Sequence, residues 1–251
     1  MTHKKLNRLF VKSPLVGNST IELEQHHVHY LKNVMRLKIS DHLLVFNGKD
    51  GEWEVEINNL EKKSGTAIAI KRTKEQYNEP DVTLLFAPIK HGKIDFLAQK
   101  ATELGVTALQ PVFTKHTIAS RVNTERLQSN AIEAAEQSER LTVPEILEPI
   151  DINKLISSWD SNKKLLLCDE TGKGKPIKEA LSESEKGTWA ILIGPEGGFS
   201  KDELDMLYKL PYVVPASLGP RILKADTAAF AALTCWQEHL GDWQNLPSFE
   251  A

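Results

Sequence analysis

The 251-residue sequence predicts an α/β protein in two parts, a small N-terminal β-barrel and a larger C-terminal domain built on a parallel sheet. Three observations predict it. Short β-type runs crowd residues 1–73, strand and helix signals alternate from Asp81 onward, and two loops near the C-terminus each follow an apolar run and precede a helix signal.

In the first part, Asn7 to Phe10 and Thr20 to Leu23 read as strands and Gln25 to Val34 as a helix. Leu43 to Phe46 leads through Asn47-Gly-Lys-Asp-Gly51 into the alternating Glu52-Trp-Glu-Val-Glu-Ile57, which is a hairpin pattern, and Thr66 to Lys71 closes the set. The polar residues 74–80 then serve as a linker between a domain at 1–73 and a domain at 81–251. In the second part Val82 to Pro88 is an apolar run. Lys93 to Leu104 places Ile94, Leu97, Ala98, Ala101 and Leu104 at helical spacing and stops at Gly105. Ala108 to Phe113 is a strand, Thr124 to Arg140 a polar helix, Lys164 to Cys168 a buried strand and Pro176 to Leu181 a short helix. Trp189 to Ile193 feeds the first glycine loop. This alternation implies helices on both faces of a largely parallel sheet.

Composition narrows the function. No apolar run approaches the roughly 20 residues of a membrane span, and Met1-Thr-His-Lys-Lys5 is not followed by a signal core, so the expectation is a cytoplasmic protein. The two cysteines, Cys168 and Cys235, lack metal-type spacing, so no metal is expected and both read as reduced core residues. The net charge of −3 is unevenly divided. Residues 1–80 carry +3 (13 Lys/Arg against 10 Asp/Glu) and residues 81–251 carry −6 (18 against 24), while five of the eight histidines (His3, His26, His27, His29, His42) lie in the front. A mildly basic front is compatible with a phosphate-facing surface.

The first loop, in Ala190-Ile-Leu-Ile-Gly-Pro-Glu-Gly-Gly-Phe-Ser200, places backbone amides at a strand's carboxyl end, a natural pocket wall. Ser200 and Glu203 have capping-box spacing and start a helix from Lys201 through Leu210. The second stretch, Ser217-Leu-Gly-Pro-Arg-Ile-Leu-Lys-Ala-Asp-Thr-Ala228, repeats the arrangement, with Asp226 or Thr227 available to cap an Ala-rich helix ending near Leu240. The first loop fits neither G-x-x-x-x-G-K-[ST] nor G-x-G-x-x-G, and Gly172-Lys-Gly-Lys175 does not fit the former, which disfavours a nucleoside triphosphatase and an ordinary dinucleotide enzyme. On the polar helix, Glu133, Glu136, Gln137 and Arg140 share one side, read either as helical ion pairs or as a functional face.

Four segments carry a resemblance: Lys100-Ala-Thr-Glu-Leu-Gly-Val106, Glu133-Ala-Ala-Glu-Gln-Ser-Glu-Arg140, Leu192-Ile-Gly-Pro-Glu-Gly-Gly198 and Leu218-Gly-Pro-Arg-Ile-Leu-Lys-Ala-Asp-Thr227. In this order they resemble the bacterial 16S ribosomal RNA uridine-N3 methyltransferase family, RsmE. Asn7-Arg-Leu-Phe10 and His29-Tyr-Leu-Lys-Asn-Val-Met-Arg36 are similar to that family's opening motifs, so the likeness runs nearly end to end. Lys224 and Asp226 stand where the family commonly carries Arg and Glu, which keeps both charges.

The resemblance implies a PUA-like RNA-binding barrel and a SPOUT-class domain whose C-terminal chain forms a trefoil knot around S-adenosylmethionine, working as a homodimer on 16S rRNA of the small ribosomal subunit. It implies cofactor binding by Cys168, Ile193, Gly194, Pro195, Glu196, Gly197, Gly198, Leu218, Gly219, Ile222 and Leu223. Arg221 and Arg140 become candidates for stabilising a uracil anion, and Glu196 for positioning the cofactor, accepting a proton or capping the next helix. Arg8, Arg36, Arg121 and Lys224 become candidates for RNA contacts. Competing expectations are a SPOUT enzyme acting on a ribose hydroxyl or a transfer RNA, and a non-catalytic ribosome-assembly factor.

Overall fold

A computed structural model describes residues 6–89 and 93–245, so His3 and the Met1–Lys5 segment lie outside the described residues. The chain divides into two units, one of residues 1–78 with 135–143 and the other of residues 79–134 with 144–251.

In the first unit, strands β1 (Arg8–Phe10), β2 (Thr20–Leu23), β3 (His42–Phe46), β4 (Glu52–Leu60) and β5 (Gly65–Lys74) form one sheet in the order β1-β3-β4-β5-β2. The expected hairpin is β3–β4, with Phe46 opposite Glu52, and its turn is shaped by the Asn47 side-chain oxygen, which accepts the amides of Lys49 and Asp50. Alternation along β4 and β5 sends Val55, Ile57, Ala67 and Ala69 into a fully buried core with Ile21 and Val45. Helix α1 (Gln25–His29) continues as a wider π turn through Val34 and closes that core with Val28 and Leu31.

Boundaries differ from expectation in both units. Strand β5 runs through Lys74, which pairs with Glu52 of β4, and the Gln76 side-chain oxygen accepts the Gly51 amide, so the first residues of the expected linker lie against the sheet and the first unit extends to Asn78. Helix α3 (Thr124–Ser138) stops short of Arg140, where Glu139 adopts φ +63° and turns the chain out of the helix. Arg140 therefore does not share a helical face with Glu133.

The second unit holds an eight-stranded sheet. Its members are β6 (Val82–Phe86), β7 (Ala108–Phe113), β8 (Glu145–Ile146), β9 (Ile150–Asp151), β10 (Lys164–Cys168), β11 (Lys175–Pro176), β12 (Trp189–Ile193) and β13 (Val213–Ser217). Every pairing is parallel, in the order β11-β13-β10-β12-β6-β7-β8 with β9 also on β7. Successive residues of the central strands face opposite layers. Val82, Leu84, Phe86, Trp189, Ile191 and Ile193 pack towards α2 (Lys93–Glu103), α5 (Ile177–Ser182) and α7 (Ala225–His239), while Leu85, Leu165, Leu167, Ala190 and Leu192 pack towards α4 (Ile152–Ser157) and α6 (Lys201–Leu207). Near-continuous apolar strands are thus explained by burial on both faces. Among the described residues no helix is long and apolar enough to cross a membrane.

Candidate active site

Adjacent strands β13, β10 and β12 run parallel, with Cys168 level with Ile193 on one side and Ala216 on the other. Their carboxyl ends therefore release three neighbouring loops, 169–174, 194–200 and 218–224, and bring together the Cys168, glycine-loop and Leu218 segments expected to line a cofactor. This is the arrangement at which open parallel sheets hold ligands.

The glycine loop is a tight turn in which the Gly198 amide donates to the Pro195 carbonyl at 2.9 Å. Gly198 takes φ +69°, and a Cβ there would overlap Glu170 Oε1. Gly194 is constrained differently, since a Cβ would lie 2.7 Å from the Phe199 ring. Both positions demand glycine for stated reasons of geometry. Below the turn the capping box forms as expected: Glu203 Oε2 accepts the Ser200 amide at 2.7 Å and Ser200 Oγ accepts the Glu203 amide at 3.4 Å. Glu203 Oε1 also accepts the Lys115 amide at 2.8 Å, tying the loop after β7 to the same helix start. Helix α6 ends at Leu207, three residues early, because Pro211 restricts Leu210 and the last amides turn back on Met206 and Leu207.

Cys168 is buried, and burial pushes its thiol up to about 12, so it is an apolar wall rather than a nucleophile. Asp169 accepts bonds from Tyr208 Oη and Thr171 Oγ1 and fixes the loop after β10. Tyr208 is itself pushed up to about 12, first by burial and then by its bond to Asp169.

The α7 cap is a correction. Lys224, not Asp226 or Thr227, occupies the N-cap position without a side-chain bond, and Asp226 Oδ1 instead accepts the Thr227 amide inside the first turn. Ile222, also expected in the cofactor wall, lies on the loop after β13. It is 88% exposed, on a loop where a Cβ added at Gly219, φ +104°, would meet open space. Arg221 and Lys224 on this loop are exposed cations.

Beside the glycine loop lies a cleft of about 1040 Å³. Pro195 and Glu196 form one wall, His116, Arg121 and Asn123 a second, and Asp95 and Arg126, paired at 2.6 Å, a third. Arg121 and Glu196, far apart in sequence, thus meet in one cavity. Nothing local in the sequence marks His116, Asp95 or Arg126, because a lone histidine in Lys115-His-Thr117 and charges on helices carry no spacing signal.

Two predicted arginines are buried in the first unit. Arg8 is 7% exposed, and all its nitrogens are committed: Nε to Glu52 Oε2 at 2.6 Å, Nη1 to the carbonyls of Ala135 and Glu136 at 2.9 and 3.0 Å, and Nη2 to the Arg140 carbonyl at 2.7 Å. It satisfies orphan carbonyls at the end of α3 and is not an RNA phosphate contact, a correction that follows from burial invisible in sequence. Arg140 is 6% exposed and donates to Thr142 Oγ1 at 3.1 Å, so its side chain is not presented to a substrate and its catalytic candidacy is withdrawn. Arg36, by contrast, is exposed at φ +57°.

Residues 76–237 match a family model described as an RNA methyltransferase domain, and residues 23–70 match an RNA methyltransferase PUA domain. A Rickettsia conorii protein named ribosomal RNA small subunit methyltransferase E is 40% identical over 234 residues, covering 91% of this chain and 94% of its own. Its Synechocystis namesake is 34% identical over 231 residues, covering 90% of this chain and 75% of its own. The crystal structure of a ribosomal RNA small subunit methyltransferase E from Neisseria gonorrhoeae bound to S-adenosyl methionine is similar, with a TM-score of 0.86 at 28% identity over 95% of this chain and 99% of that one. A putative methyltransferase from Legionella pneumophila with bound SAM gives 0.84 at 25% identity, over 95% and 100%.

Proposed function

The chain belongs to the ribosomal RNA small subunit methyltransferase E family, and on that premise we propose that it transfers the methyl group of S-adenosylmethionine to N3 of a uridine in 16S rRNA. The observation that carries the reading is the trio of level loops after β13, β10 and β12, in a chain matching that family nearly end to end.

The residues fit the cofactor. Apolar Ile193, Leu218 and un-ionised Cys168 offer no nucleophile to compete for a methyl group, and the open space beside Gly219 leaves room against the loop. When bound, S-adenosylmethionine supplies an electrophilic methyl group on a sulfonium. The loop amides and carbonyls around Gly194, Pro195, Gly197 and Gly198 hold its adenosine portion without charged side chains. Arg221 stabilises negative charge developing on the uracil, and Glu196 positions groups from the cleft side. Arg36, Arg121 and Lys224 contact RNA phosphates, on exposed side chains. We further propose a homodimer, which would give the 88%-exposed Ile222 an apolar partner, and a trefoil knot around the cofactor loops.

The test is purified protein with labelled S-adenosylmethionine and small ribosomal subunits, followed by nucleoside mass spectrometry. The expected product is 3-methyluridine in 16S rRNA. Label at a ribose oxygen, or none despite cofactor binding, refutes the assignment.

A further inference from the structure

Methylation at uracil N3 requires that a proton leave that nitrogen, and no residue placed so far is a matched acceptor. We propose that His116 is the general base, an inference that rests on the uridine-N3 reading. His116 Nδ1 lies 3.0 Å from the Gly198 carbonyl oxygen and 3.2 Å from that of Gly197. A carbonyl oxygen only accepts, so Nδ1 must carry the hydrogen, and in the neutral ring Nε2 is left as the sole acceptor. The backbone of the glycine loop thereby sets the tautomer.

Placement agrees with this role. The His116 side chain is exposed and lines the 1040 Å³ cleft with Glu196, Arg121 and Asn123. The carbonyls that orient it belong to the loop proposed to hold the methyl donor, so base and donor share one rigid support. A base oriented through its second nitrogen by a fixed acceptor is a recurrent catalytic device. Glu196 lines the same cleft, but an imidazole is better matched than a carboxylate to removing a weakly acidic imide proton near neutrality.

Charged groups from several elements share the cleft or the loops beside it. Lys115 is its chain neighbour, Glu196 sits on the glycine loop, and Glu170 packs against Gly198 from the loop after β10. Asp95 of α2 and Arg121, Glu125 and Arg126 line the same cleft. In the step, the N3–H bond breaks and its proton passes to Nε2. The N3 electron pair bonds to the methyl carbon as the carbon–sulfur bond breaks, its pair remaining on sulfur as a neutral thioether. The imidazolium then returns its proton to water.

The experiment is single-turnover methylation of small ribosomal subunits across pH, with cofactor affinity measured by calorimetry on the same preparations. His116→Asn keeps an amide N–H for the Gly198 carbonyl but removes the base. It should retain cofactor affinity, lose about 10²- to 10⁴-fold in rate, and exchange the wild-type acid limb for a rate that climbs with hydroxide. His116→Ala should lose the rate and weaken cofactor binding as well. A wild-type rate and profile in His116→Asn overturns the proposal, as does a fall in cofactor affinity that accounts for the lost rate. Loss of the acid limb in Glu196→Gln, with its survival in His116→Asn, transfers the role to the carboxylate. Absence of 3-methyluridine from the wild-type product refutes the reaction itself before any variant is compared, and removes the need for a base.

Discussion

Arg8→Ala tests whether an arginine in an opening motif serves RNA or the fold. The side chain bridges Glu52, whose own side chain is 1% exposed, to three carbonyls at the end of α3, and its guanidinium carbon lies 4.5 Å from the Phe46 ring centroid. Removing one partner of a buried ion pair costs about 3–5 kcal/mol, most of it from the carboxylate left behind. Thr73 Oγ1 at 3.0 Å and Lys74 Nζ at 3.8 Å remain beside Glu52 Oε1 and offset part of that loss. The carbonyls of Ala135, Glu136 and Arg140 also lose a charged donor, which pulls the other way. The expected destabilisation is therefore about 3 kcal/mol, near the low end of the range for a broken buried pair. Chemical denaturation followed by tryptophan fluorescence reads it, since Trp53 lies in this unit. Arg8→Ala combined with Glu52→Gln should cost less than the sum of the two single changes, because no charge is stranded. The salt dependence of RNA binding should be unchanged in the folded fraction. A fully stable variant with weaker binding and a flatter salt slope would refute this reasoning and restore Arg8 as a phosphate contact.

Gly198→Ala should cost about 1–2 kcal/mol from its left-handed backbone and weaken cofactor binding, and adding Glu170→Ala should relieve the overlap but not the backbone strain; unchanged cofactor affinity in the single variant removes this turn from the site. Burial, and then neighbouring His26, push the His27 imidazole down to about 4 from 6.5, and its Nδ1 accepts the Glu24 amide at 3.2 Å. The unfolded chain then binds the extra proton between those values, so stability should fall as pH drops from about 6.5 to about 4, with a shallower fall in His27→Gln; equal slopes in the two proteins would refute it. Cys168, pushed up to about 12, should resist alkylation by iodoacetamide at pH near 8 until the domain unfolds, and rapid native labelling would contradict its burial.

The sequence made the fold largely legible where burial imposes a pattern. Trp189–Ile193 and, past its exposed first residue, Lys164–Cys168 are buried on both faces, and their apolar runs marked the strands. Thr20–Leu23 was equally clear from one-sided alternation. What failed was governed by contacts distant in sequence. Nothing local in Glu139-Arg140 shows that the helix stops at Ser138, because the stop depends on a non-glycine residue at φ +63° and on Arg8, more than a hundred positions away, accepting the role of C-terminal cap. Two-residue strands such as β9 and β11 are too short to display any period. The helix α4 was missed for a related reason, although Asp151 does cap it through the amides of Asn153 and Lys154.

For the site, residue type was the wrong variable for cations and the right one for glycines. Arg8, Arg36, Arg121 and Arg140 are indistinguishable as letters, yet two are buried and two exposed. A guanidinium carries five donors and is permanently charged, so it serves a buried helix end as readily as a phosphate, and only the acceptors around it decide. A glycine has fewer uses. Where one follows a strand and its Cβ would strike Glu170 or Phe199, backbone conformation and close approach are its content, and both survive translation from sequence to structure. His116 sits between these cases: its letter is uninformative, but two carbonyls of the glycine loop leave its ring one tautomer. The loop that the sequence marks most clearly is thus also what assigns a role to the histidine that the sequence leaves unmarked.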